Sequence, residues 1–456
     1  MNFLLINADQ LRHDCLGYTG IRDVKTPNID ALARAGVVFT RAFTPVPVCA
    51  PARQALLCGR HPDSFGAQWN YDFISTPTAR PEWCWPRLLR EKGYKTAYLG
   101  RFHVSPDYTP RDFGYDVWVN REDYNEYINK KYPDITYTGG WLGCTSPVPL
   151  DCSATHWLAG KTVELLEKFS QTGEPWHIWL DFEEPHLPCR PSEPFASMYN
   201  PEDIPPWDGF YDNFVNKPYC HKQQMINWGL ENMDWDDIAP MVARYFGVIS
   251  QLDDALGKIF NALQEYGQSD NTVVVFTSDH GDMCGSHHML DKHYVLYDDI
   301  TRVPLIVRHP KASPRIRSDF VSNCLDIPAS VREWFELEKD KNAHGMPLPI
   351  FNNNYEPREF IVSTSNGQQF GLYTTRMLRG DRYKYIWNLT DTDELYDMKA
   401  DLGELRNLIA DDRLSELISV MRNEMAFQLY LHGDPFIRGE FMERQLTEGK
   451  KWTRTQ

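Results

Sequence analysis

The sequence predicts an α/β fold, a large sheet covered by helices on both faces, followed by a smaller antiparallel sheet with a helix. Three observations carry this. Short apolar or β-branched runs alternate along the chain with stretches of helical periodicity. Those runs read as strands buried on both faces. Near residue 355 the texture changes, and short strand-like runs become the main theme.

The elements follow in order. Residues 3–8 read as a buried strand, with Asp9 and Gln10 at its carboxyl end. Residues 26–36 read as a helix, with Thr26 as cap, Pro27 at its first position and Gly36 at its stop. A strand begins at 37–39. Pro51 and Gly59 bracket a further short helix, which places Cys49 just outside a helix N-terminus. Free N–H groups and the helix dipole favour an anion there, and Arg53 lies about one turn in. Residues 83–92 look helical and 95–100 strand-like. The run 177–182 is a strand that ends at Glu184-Pro185-His186. Residues 187–238, rich in Pro, Trp, Tyr and Asn, read as a long surface excursion near a site. A long amphipathic helix fits 239–266. A β-branched strand at 272–276 leads into Asp279-His280, and 303–307 repeats the strand pattern. The division expected is an α/β catalytic domain at 1–355 and a C-terminal subdomain at 356–456. The subdomain's strands fall near 360–362, 376–378 and 383–387, and its helix near 413–430.

Composition narrows the function. Apolar residues make up 42% and charged residues 24%, a globular balance. A net charge of −16 argues against nucleic acid and anionic membranes as partners. An anionic substrate must then be held by a local cationic pocket. Ten cysteines lie scattered with no CxxC or zinc spacing, so reduced thiols in a cytoplasmic setting are expected. The chain opens without a basic, apolar leader, and no stretch is apolar enough to span a bilayer.

Ligands of such sheets gather at the carboxyl ends of the strands. Asp9, Gln10, His186, Asp279 and His280 all fall there. Two carboxylates, an amide oxygen and an imidazole suit a divalent cation.

Five ordered segments resemble the type I, formylglycine-dependent sulfatases of the alkaline phosphatase-like superfamily. They are Asp9-Gln10, the C-x-P-x-R run Cys49-Ala50-Pro51-Ala52-Arg53 continuing to Gly59-Arg60, Gly100-Arg101-Phe102-His103, Pro185-His186, and Asp279 to Lys292. The resemblance implies a large mixed, mostly parallel sheet sandwiched by helices. It implies that a formylglycine-generating or radical maturation enzyme oxidises Cys49 to formylglycine, whose hydrate is the nucleophile. It implies one divalent ion, Ca²⁺ or Mn²⁺, held by Asp9, Gln10, the modified Cys49, Asp279 and His280. Arg53 would hold the nucleophile, and His103 would help regenerate the aldehyde. His186 would protonate the leaving oxygen, and Lys292 would contact a sulfuryl oxygen. Arg101 stands where the family has lysine, and either grips sulfate or turns into a salt bridge. His287 matches a family histidine and His288 replaces a glycine, so either faces the substrate. The implied reaction is hydrolysis of a small-molecule or saccharide sulfate monoester, with a sulfated carbohydrate preferred. The alternatives are a phosphonate monoester or phosphodiester hydrolase, and a catalytically silent sulfatase-like binding protein. Trp69, Tyr71, Trp207, Tyr211 and Trp228 are either sugar platforms or ordinary packing.

Overall fold

Strand β1 (Asn2–Asp9) is buried along its whole length, and its side chains divide between two cores. Leu4, Ile6 and Ala8 enter one, and Phe3 and Leu5 enter the other. This alternation is what a strand covered on both faces must show, and it explains the unbroken apolar run. The computed structural model describes residues 1–292, 294–351 and 355–450.

Nine strands of the described residues form the main sheet: β1, β2 (Val37–Phe43), β3 (Lys95–Gly100), β4 (Val117–Val119), β5 (Trp176–Pro185), β6 (Thr272–Ser278), β7 (Arg302–Val303), β8 (Leu305–Arg308) and β9 (Arg315–Ser322). Their order is β4-β3-β5-β1-β6-β8-β2-β7, with β9 also on β2. The run from β4 to β6 is parallel, whereas β8 is antiparallel to both β6 and β2. Helices α1 (Pro27–Ala35), α5 (Ala154–Thr172) and α7 (Trp235–Glu265) supply the first core. Helices α2 (Cys49–Cys58), α3 (Trp85–Glu91) and α9 (Asn323–Trp334) supply the second. The expected mixed, mostly parallel sheet between helices is therefore what forms.

Several boundaries differ from expectation for identifiable reasons. Cys49 is the first residue of α2, and Val48 is the extended residue before it. Thr26 bonds to Asp30 and to the Gly17 N–H rather than capping α1. Helix α7 starts a turn early because Asp234 and Asp237 form a reciprocal capping box upstream of Pro240. The strand expected at 303–307 is split by Pro304, which has no N–H for the ladder. The excursion at 187–238 contains α6 (Tyr219–Trp228), whose buried residues, His221 and Gln224, give no apolar stripe to read. Helix α4 (Arg121–Lys131), the single-turn α8 (Asp298–Thr301), β4 and β9 are also additions.

Strands β10 (Ile361–Gln368), β11 (Gly371–Arg379), β12 (Tyr383–Asn388) and β13 (Glu394–Asp397) form an antiparallel meander. One face packs on α10 (Ser415–Leu431) and α11 (Glu440–Thr447). Residues of the other face, Ile361, Met377 and Ile386, join Phe43 and Met283 of the first part of the chain. Among the described residues no helix is long and apolar enough to cross a membrane.

Three histidines meet where α10 approaches the segment after α2. The His61 and His432 rings stack at 5.2 Å, and the His344 ring lies 5.8 Å from that of His432. Neither ring nitrogen of His61 has a hydrogen-bond partner. Burial pushes His61 from 6.5 down to about 4, against the opposing pull of Asp63 and with help from His344 and Arg376. The unfolded chain binds this proton first, so stability must fall as pH drops from about 6.5 towards 4. At about pH 5 the expected loss from His61 is roughly 2 kcal/mol relative to neutral pH. His61→Phe should remove that increment in urea unfolding measured at both pH values; an unchanged difference would refute this source.

Candidate active site

The site forms where β1, β3, β5 and β6 end, facing the N-terminus of α2. Every residue of α2 is buried. The small side chains Ala50, Ala52 and Ala55 let this helix lie against its neighbours, and Arg53, one turn in, points towards β1, β5 and β6. Its Nη2 donates to Asp9 Oδ2 at 3.0 Å, its Nη1 to Asp181 Oδ2 at 2.6 Å, and its Nε to Asp279 Oδ2 at 3.2 Å. All four side chains are fully buried. One guanidinium thus joins carboxylates from the end of β1, from within β5 and from just past β6.

Asp181 was not singled out by the sequence, although an acid inside an apolar strand is itself a signal that a buried partner exists. It also accepts from Tyr98, Trp179 and Asn7. Burial nevertheless holds its carboxyl up to about 6 despite Arg53. Burial and Cys49 push Asp9 upward, but Arg101, His186 and Arg53 outweigh them and bring it below the usual carboxylate range.

Among the described residues, Asp9, Cys49, Asp279 and His280 form one group suited to a metal ion, with ligand atoms all within 4.8 Å of one another. The donors fit. His280 Nδ1 donates to the Gly281 carbonyl at 2.9 Å, which orients Nε2 towards the group. Nε2 lies 3.2 Å from Cys49 Sγ and 3.8 Å from Asp9 Oδ1. Burial disfavours charge on this imidazole, yet Asp279 and Cys49 hold it up to about 9. The imidazole therefore keeps a proton where negative charge is in excess, and that excess is what a divalent cation would neutralise. Gln10, expected in the metal set, is engaged otherwise. Its Oε1 accepts from Lys292 Nζ at 2.9 Å and its amide donates to Asp282 at 2.6 Å, while its backbone N–H holds Asp279.

Cys49 is ringed by cationic groups. Burial pushes its thiol up, but Lys292 and His280, with bonds from His103 and His186, hold it well below the ordinary value. Lys292 Nζ is 3.1 Å from His186 Nε2 and 2.8 Å from Asp291. His186 Nδ1 donates to the Leu187 carbonyl at 2.6 Å. His103 Nε2 lies 2.7 Å from Asp72, a loop carboxylate that no sequence signal marks. Arg101 takes the salt-bridge course, 2.5 Å from Asp9, with its second nitrogen 3.4 Å from His103 Nδ1.

His287 and His288, expected to face substrate, make their contacts with Asp212, Tyr297 and Phe210. His287 pairs with Asp212 at 2.7 Å and stacks on Tyr297 at 3.8 Å, and His288 stacks on Phe210 at 4.4 Å. Both have left-handed backbones, which turn their side chains within a tight loop. Of the five aromatics, Trp207 is packed under Arg12 and Arg22, and Trp69 is bonded to the Asn366 carbonyl. Tyr211 is largely exposed beside Phe210, and Trp228 meets Trp141 and Phe370 edge-on. Tyr71 alone of the five touches a candidate catalytic group, edge-on to His103 at 5.1 Å. A cavity of about 320 Å³ opens beside Arg101, Asp181 and His186 and extends to Tyr124, Trp157 and Arg190.

A family model described as sulfatase matches residues 1–337. The chain belongs to the sulfatase family. A second model, described as N-sulphoglucosamine sulphohydrolase, C-terminal, matches residues 285–429. This sulfatase-family chain is 28% identical over 451 residues to the uncharacterized sulfatase YidJ of Escherichia coli, covering 95% of this chain and 88% of that protein. It is 27% identical over 457 residues to an ulvan-active sulfatase of Formosa agariphila, covering 95% and 82%. Among solved structures, the phosphonate monoester hydrolase of Agrobacterium radiobacter superposes with a TM-score of 0.78 at 25% identity, over 94% of this chain and 95% of that one. The fold is alkaline phosphatase-like, and the chain is a sulfuric ester hydrolase.

Arg53→Ala should strand three buried carboxylates. The expected cost is about 3–5 kcal/mol, as for one partner removed from a buried charge network. Urea unfolding in the presence of a metal chelator measures it. A loss within the range of an ordinary surface substitution would show that Arg53 does not hold the strand ends together.

Proposed function

We propose that this sulfatase hydrolyses the sulfate monoester of a saccharide, through a formylglycine made from Cys49 and with a divalent cation held by Asp9, Asp279 and His280. The observation that carries the reading is the convergence on Cys49 of an anion-binding helix end, two buried carboxylates, Lys292 and three imidazoles. A buried thiol alone has no need of these neighbours.

The modified residue would supply a hydrated aldehyde hydroxyl as nucleophile, and a bound cation would supply Lewis-acid neutralisation of charge on the sulfuryl oxygens. The chain's own groups do the rest. Lys292, the ammonium beside His186, neutralises a further sulfuryl oxygen. Because His186 Nδ1 donates to the Leu187 carbonyl, Nε2 is the nitrogen that faces Lys292 and accepts from its ammonium, and through it a proton can pass to the departing oxygen in the cavity that His186 lines. His103, oriented by Asp72, takes a proton at the Cys49 position. Arg53 and Arg101 keep the Asp9 carboxylate ionised and in place. Cys49 and the rest of α2 are buried, so a maturation enzyme must meet this segment before α2 packs.

The saccharide assignment rests on likeness to the ulvan-active sulfatase. A second reading, hydrolysis of phosphonate monoesters, is favoured by the structural likeness to the Agrobacterium enzyme. Parallel assays of 4-nitrophenyl sulfate and 4-nitrophenyl phenylphosphonate separate the two by their ratio of kcat/KM.

Cys49→Ala should lower kcat by at least about 10³-fold. Peptide mass spectrometry of active protein should show an aldehyde residue at position 49, and chelation of divalent ions should abolish turnover reversibly. An active protein whose position 49 is wholly thiol would end the formylglycine reading.

A further inference from the structure

The cavity beside His186 holds a guanidinium that the chemistry above leaves unused. Each other arginine of its lining has a carboxylate partner: Arg101 pairs with Asp9 at 2.5 Å and Arg121 with Glu183 at 2.7 Å. Arg190 has none. Its guanidinium lies over the Tyr137 ring at 4.5 Å. Among the described residues it has no hydrogen-bond acceptor, and its Nε is shielded from solvent without a partner. A half-buried cation whose donor has lost water and gained no acceptor is a cost that an arriving anion would remove. The stack on Tyr137 fixes the plane of the fork while leaving its edge free.

Other cavity charges do not answer Arg190. Glu183 is taken by Arg121 and Asp181 by Arg53. Burial and the neighbouring Glu183 hold the Glu184 carboxyl up to about 7, so much of it is uncharged near neutral pH. Arg190 is four positions beyond His186 along the chain, and both line the same cavity. On the proposed reading the ester sulfate sits at Cys49, and His186 and Arg101, which act on Cys49, also line this cavity, so the cavity is where the leaving group goes. A cavity of about 320 Å³, walled by Tyr124, Trp157 and Tyr137, has room and flat faces for sugar rings.

Resting on the saccharide sulfatase reading, we infer that Arg190, stacked on Tyr137, is a second anion subsite. The preferred substrate is then a saccharide bearing, besides the scissile sulfate, another anionic group on the leaving side. A uronate carboxylate and a second sulfate share this chemistry.

The test is calorimetric binding to the Cys49→Ala protein, so that turnover plays no part. Three ligands of one disaccharide backbone are compared: a monosulfate that is otherwise neutral, the same with a uronate carboxylate, and the same with a second sulfate. One or both dianions should bind about 10- to 100-fold tighter than the monosulfate, the range of a charge-assisted pair. Whichever shows the larger gain names the source of the anion. Adding Arg190→Ala should erase the gain, and Arg190→Lys should restore part of it, with thermal midpoints confirming that both variants fold. Equal binding of all three ligands, no binding of any, or a gain that survives Arg190→Ala would overturn the subsite. Failure of the sulfatase reading looks different, as absence of 4-nitrophenyl sulfate turnover by the unsubstituted protein.

Discussion

Everything at this site depends on one buried cation, Arg53. Three carboxylates brought from β1, β5 and β6 into a space without solvent would repel one another and take up protons. The guanidinium is planar, always charged and able to donate in several directions at once, so a single side chain can serve all three. It does so from α2, one turn beyond Cys49, with which that helix begins. The spacing of four between the two residues has a plain reason. Residue 49 and residue 53 lie one turn apart on one helix face, so the group that gathers the carboxylates also fixes where the nucleophile position stands among them.

The balance left after Arg53 explains the rest of the arrangement. Asp9, Asp181 and Asp279 bring three negative charges, and Arg53 with Arg101 bring two positive ones. The remaining charge lies beside His280, whose imidazole Asp279 and Cys49 hold up to about 9, which favours a proton there. A divalent ion would displace that proton and make Nε2 a ligand, while the bond from Nδ1 to the Gly281 carbonyl stays as it is. The substitution of arginine for the family's lysine at 101 fits this balance. An arginine can hold Asp9 and still reach towards His103, a geometry a single ammonium would not match.

The parts legible in the sequence were those with short-range signals. Buried strands showed as apolar runs, α2 showed through Pro51 and Gly59, and strand-end polar residues marked the site's location. The groups that escaped detection all act across long sequence separations. Asp72 reaches His103 from a loop with no periodicity, and Asp181 meets an arginine 128 positions earlier. Gln10 was legible, but its long-range partner was not. As text it is one of a metal-binding pair, but its amide oxygen goes to Lys292, 282 positions away. His287 and His288 show the opposite failure, where a local match suggested a role and a left-handed loop carried both rings to Asp212 and Phe210. Helix α6 was missed because a helix buried at two positions has almost no pattern to display.

A net charge of −16 sits oddly with an anionic substrate. Distance resolves it. At physiological ionic strength fields between exposed charges fade within about 8 Å, so the acidic surface hardly acts inside a cleft. Lys292 and His280 act on Cys49 at close range, His280 from 3.2 Å, and buried charges are poorly screened. The global charge therefore sets solubility and discourages polyanionic surfaces as partners, while affinity for the ester is decided by the few cations in the site. Such a division also limits how large the anion can be. A ligand that projects beyond the cleft meets the acidic exterior, whereas one enclosed by the cavity meets Arg101, Arg121 and Arg190 interleaved with Glu183 and Glu184.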